Sequence, residues 1–125
     1  MRVLLPGVRI RRRIDTALDT FFDKYQDGDF ETALTEICAF YQLPKPRVIW
    51  YESLDSRTTM GEVTESGIMR LIHPENFKKR KSHTQGASKR EWIWTFLHEM
   101  WHYLHWVDDE RKADAYAKKF VTGLK

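Results

Sequence analysis

The chain has 125 residues, 42% of them hydrophobic and 31% charged, and a net charge of +3. That length suits one domain over residues 1–125 with a small core, and charges interrupt every apolar stretch well short of the ~20 residues a bilayer-spanning helix needs. Cys38 is the only cysteine, which excludes an internal disulfide.

The opening MRVLLPGVRIRRR places its apolar residues ahead of its basic run, the reverse of a secretory signal, so a cytoplasmic protein is expected. Basic residues gather at 9–13 (RIRRR) and 78–81 (KKRK). Solvated surface accounts for groups of this size; contact with nucleic acid or another anionic surface is the alternative. One Asn and three Gln against many Lys, Arg and Glu lean toward a heat-adapted source.

Residues 15–26, DTALDTFFDKYQ, put Leu18, Phe21, Phe22 and Tyr25 on one helical stripe with acids opposite. Asp27-Gly28 ends this helix, and Asp29 caps a second through about Tyr41, with Phe30, Leu34, Ile37, Cys38 and Tyr41 as its stripe. Cys38 therefore reads as a small core residue and not a nucleophile. LPKP, 43–46, stops the helix. Both N-terminal helices are expected to form an integral half of the core, a removable pro-segment being the alternative.

Residues 47–53, RVIWYES, read as a strand, and 58–74 as two more joined at Glu65-Ser66-Gly67. A polar basic loop is expected over 75–88, followed by helices over about 89–106 and 109–121. The order ααβββαα predicts an α+β fold: two N-terminal helices, a small three-stranded, mainly antiparallel sheet, an active-site helix and a glutamate-bearing helix.

The chemistry concentrates in TFLHEMWHYLHWVDDERKADAYA, residues 95–117. Positions i and i+4 share a helix face with Cβ atoms about 5–6 Å apart, so His98 and His102 can reach one ion at ~2.0–2.1 Å. Glu99 lies near that line without being on it, placed to hold a water as general base and acid. In chains of this composition His-Glu-x-x-His arises by chance in roughly one or two per hundred. Its setting on a helix apolar around much of its circumference, with Trp92, Phe96, Met100 and Leu104 as the main stripe, strengthens the reading.

A third ligand is needed. His105 stands ~10 Å of axial rise beyond His98, too far for one ion on a straight helix, and no glycine breaks the helix between His102 and Glu110. Glu110 would lie ~12 Å past His102 on a continuous helix. Asp108 or Asp109 can instead cap a new helix, and a chain folded back there returns Glu110 to the metal. Asp114, at i+4 from Glu110, can then accept the N–H of a ligating imidazole.

HEMWH followed by ERKADAYA resembles the gluzincin pattern. The short spacing, small size and helix-rich N-terminal half are most similar to the minigluzincins, compact soluble metallopeptidases related to the catalytic domains of membrane metallopeptidases. The resemblance implies one Zn2+ held by His98, His102 and Glu110, Glu99 as general base and acid, Asp114 in support, and a peptide or protein substrate. It also implies latency through a C-terminal segment, here residues 122–125. Segment 59–64, with Gly61 permitting close backbone approach, is the candidate edge for a substrate strand, and His73, Tyr103 and Tyr116 are candidate oxyanion stabilisers. Two rivals remain: a metalloprotease acting on DNA-bound proteins or a repressor, and a non-catalytic zinc-binding interaction domain.

Overall fold

The computed structural model describes residues 4–51, 61–78, 85–105 and 109–124. Helix α1 is Val8–Lys24, starting seven residues before the expected Asp15. Ile10 and Ile14 prolong the apolar stripe of Leu18, Phe21 and Phe22, and Ile14 is fully buried. Tyr25, left-handed at φ 58°, ends α1 with its N–H on the Phe21 carbonyl. Helix α2 is Asp27–Phe40, so Asp27-Gly28 open this helix rather than end α1, and Asp29 is not its cap, which is Gln26; Asp27 and Asp29 lie in its first turn, where negative charge is favoured by the helix dipole. As expected, Cys38 is a core residue, and burial pushes its thiol up to about 11.

Three strands follow, β1 (Arg47–Tyr51), β2 (Gly61–Val63) and β3 (Ile68–Ile72), in the order β1-β3-β2. The turn of the β2–β3 hairpin falls where the sequence put it: Gly67, at φ 83°, donates its N–H to the Thr64 carbonyl at 2.9 Å. One expectation is corrected. The sheet is mixed rather than mainly antiparallel, because β1 pairs parallel to β3 over five residues, whereas the antiparallel β2–β3 pairing covers three. Met69, Leu71 and Ile72 are all buried, so β3 takes the centre, as a strand apolar on both faces does. Arg70 on the outer face pairs with Glu62 and lies over the Tyr51 ring at 4.4 Å.

The loop expected over 75–88 is shortened at both ends. A short helix α3, Pro74–Phe77, forms at once, with proline in its first turn and the His73 Nδ1 accepting the Glu75 N–H at 3.1 Å. Helix α4, Gln85–His105, starts four residues before Lys89, and helix α5, Glu110–Val121, follows.

A single cluster of buried side chains joins all five helices to β3. The N-terminal helices give it Ile14, Leu18, Phe21, Phe22, Phe30, Leu34 and Ile37; they are an integral part of the core. Phe21, Phe30, Trp50 and Trp92 meet in an aromatic nest, where the Trp92 Nε1 donates to the Ile72 carbonyl at 2.8 Å and fixes α4 against β3. Arg11 closes the fold from the other side, donating from Nε to the Pro6 carbonyl and from Nη1 to those of Lys119 and Phe120 at the end of α5. Among the described residues no helix is long and apolar enough to cross a membrane.

Candidate metal centre

Trp92, Ile93, Phe96, Leu97, Met100 and Trp101 are all buried. Packing over so much of its circumference fixes the rotation of α4, and with it the direction of His98 and His102. The His98 ring is buried and that of His102 half-buried. Their Nε2 atoms lie 3.2 Å apart. An indole flanks each imidazole, Trp94 at 5.2 Å from His98 and Trp101 at 5.4 Å from His102 between ring centroids.

Glu110 reaches the same point from α5. Asp109 caps that helix, its Oδ1 accepting the Lys112 N–H at 3.1 Å, so Glu110 occupies the first helical position. The expected backbone reversal falls largely on 106–108, outside the described residues. Its outcome is visible on either side: Glu110 Oε2 lies 2.9 Å from His98 Nε2, and Oε1 lies 2.8 Å from His102 Nε2. The Glu110 side chain remains 64% exposed, so the cluster is walled by α4 and open to solvent beside α5.

His98, His102 and Glu110 could hold a metal ion, with donor atoms all within 4.8 Å of one another. The donor chemistry fits. Two imidazole nitrogens face each other at hydrogen-bond distance across one carboxylate, and a cation satisfies all three lone pairs together. The two ring nitrogens stand 3.2 Å apart, and the Glu110 oxygens 2.9 and 2.8 Å from them, somewhat closer than the about 3.3–3.4 Å between ligand atoms at ~2.0–2.1 Å from a tetrahedral ion. Two neutral imidazoles and one carboxylate leave a divalent ion with net positive charge. Among the described residues no fourth donor joins the group.

Asp114, one turn beyond Glu110, places Oδ1 at 2.7 Å from His98 Nδ1, off the line of an ideal hydrogen bond. A carboxylate there favours the tautomer with its proton on Nδ1, leaving the Nε2 lone pair for the cluster. Glu99 is buried, with Oε2 3.9 Å from His98 Nε2: beside the cluster and outside its donor group.

The other singled-out residues lie elsewhere. His105 stacks on Trp101 at 4.5 Å and is not part of the donor group. The Tyr103 hydroxyl donates to the Pro44 carbonyl at 2.7 Å. Tyr116 pairs its hydroxyl with that of Tyr41 at 2.9 Å and is buried. His73 caps α3 among the rings of Phe21, Tyr25 and Trp50. Of segment 59–64, the first two residues lie outside the described residues; Gly61–Val63 is β2, an edge strand with no described strand on its outer side. Residues 122–124 turn back on the last turn of α5, with Thr122 Oγ1 on the Lys118 carbonyl. That end stands about 16 Å from Glu110 by helical rise, so the described C-terminal residues do not cover the cluster.

Sequence reasoning missed Trp94 as a neighbour of His98, although their i, i+4 spacing was the available signal. It also missed the role of Arg11, which a basic run does not disclose. Compared with known proteins, the chain matches no family model, no curated protein and no solved structure.

Proposed function

We propose that the chain is a zinc-dependent metallopeptidase of the gluzincin type, similar to the minigluzincins. One observation carries this reading: two imidazoles of α4 and the first carboxylate of α5 converge beside a second, buried carboxylate, Glu99. His98, His102 and Glu110 would hold the zinc, which when bound would supply an acidified water and polarise the scissile carbonyl. Glu99 accepts the proton as the water oxygen bonds to the carbonyl carbon. It returns that proton to the amide nitrogen as the C–N bond breaks, releasing an acid and an amine. Asp114 orients His98. The edge of β2 on which no described strand pairs suits a substrate segment added as a strand through main-chain hydrogen bonds.

Among the described residues the group has three donors, and that number favours a hydrolase over a structural zinc domain, because a catalytic metal keeps a position open. Against the DNA-directed alternative, Arg11 is engaged by backbone carbonyls and Arg13 by Glu36, which divides the first basic group. The test is turnover of casein or a fluorogenic peptide by the zinc-loaded chain. Glu99→Gln should keep the metal and lose activity by about 100-fold or more; full activity in that variant removes the mechanism.

A further inference from the structure

A glycine inside a strand weakens it and often marks a close approach by another group. For Gly61 the approaching group comes from α4. A Cβ at this position would stand 3.0 Å from Glu99 Cγ, 2.9 Å from Leu71 Cδ2 and 3.4 Å from the Arg70 carbonyl oxygen. Carbon atoms ordinarily rest about 3.5–4.0 Å apart, so something must move. The Arg70 carbonyl belongs to the β3 backbone, held in register opposite β2. Leu71, the nearer contact, is fully buried among core side chains, whereas Glu99, buried as well, borders the cluster of His98, His102 and Glu110. Glu99 has a Cα fixed by α4 and a flexible side chain beyond it, and a turn about its χ angles carries the carboxylate with it.

We propose that Gly61 is a positioning residue for Glu99: the missing side chain leaves the space in which the Glu99 methylene lies, and so keeps the carboxylate beside His98 Nε2. Glycine at 61 thus serves the enzyme's own side chain, whatever a substrate does at the opposite edge of β2. The kinetic consequence rests on the reading of Glu99 as the proton carrier; the steric one does not.

Both are tested with Gly61→Ala. With activity, kcat should fall about 10- to 100-fold, as for a small misplacement of a catalytic group. KM should stay within about 2-fold, and the visible absorption of the cobalt(II)-substituted protein, which reports the ligand set, should not change. Unchanged kcat overturns the proposal. So does loss of the cobalt spectrum together with activity, because β2 would then be orienting all of α4. A second measurement needs neither metal nor turnover. Gly61→Ala should lower Tm more in the wild-type background than in Glu99→Ala, where Cγ is gone and only the Leu71 and Arg70 contacts remain. Equal losses in the two backgrounds overturn the proposal. A wild-type chain with no hydrolytic activity refutes the peptidase reading, while this thermal cycle still judges the contact.

Discussion

Replacing Asp114 with alanine isolates what the α5 carboxylate does for His98. In the wild type, a carboxylate oxygen 2.7 Å from Nδ1 favours the tautomer with its proton there, which leaves the Nε2 lone pair for the cluster. Removing the carboxylate lets the proton sit on either nitrogen and adds ring freedom, and outer partners of this kind contribute about 10–100-fold to metal affinity. Asp114 is half exposed and the contact is off-line, so the lower end applies: about 10-fold, or about 1.4 kcal/mol. The assay is competition for zinc against a chromophoric chelator, with melting curves of apo and zinc-loaded protein beside it. Zinc at 100 times Kd should stabilise the wild type by about 2.7 kcal/mol, and the variant at the same zinc should gain about half of that. The apo proteins should melt almost together. Zinc affinity equal to wild type, or an apo variant as destabilised as the loaded one, would refute the reasoning.

Two further outcomes follow from contacts away from the cluster. Arg11→Ala removes a charged donor from the Pro6, Lys119 and Phe120 carbonyls. It should cost about 2–3 kcal/mol, lowering Tm by about 8–12 °C while zinc affinity stays within about 2-fold; a variant with wild-type Tm contradicts the role given to that guanidinium. Alkali should destabilise the fold. Burial raises Cys38 from 9.0 to about 11 and Tyr41 from 10.0 to about 12, and holds Tyr116 well above 10.0. The unfolded chain loses these protons first, so stability is full below pH ~9 and is lost as pH rises through the folded values. Urea midpoints should fall between pH ~9 and ~12, less steeply in Tyr41→Phe, and a flat profile contradicts the burial argument.

The helices were legible where apolar spacing was dense. The stripe of Phe30, Leu34, Ile37 and Cys38 located the end of α2 to within one residue and its start to within three. The first turns of α1 were hidden because Arg9, Arg11, Arg12 and Arg13 look like loop surface, although Ile10 and Ile14 continue the buried stripe. The α3 signal, His73 before Pro74 and Glu75, was present but too short to outweigh the polar run after it. Strand order was less accessible. Consecutive strands suggest a meander, and only the wholly apolar flank of Arg70 in IMRLI hinted that β3 is central. At the cluster, i and i+4 spacing fixes the two imidazoles locally. Glu110 required a reversal that aspartate capping made legible. The contact of Gly61 with Glu99 crosses from sheet to helix, and no local pattern encodes it.

The central claim is that a carboxylate from α5 and two imidazoles from α4 share one metal ion. Equilibrium dialysis against buffered zinc, with metal per chain measured for the wild type and for Glu110→Ala, tests it most directly. The wild type should take up one equivalent and the variant little at the same free zinc, with both proteins folded. A wild-type chain that takes up no zinc, or a variant that binds it equally well, contradicts the account.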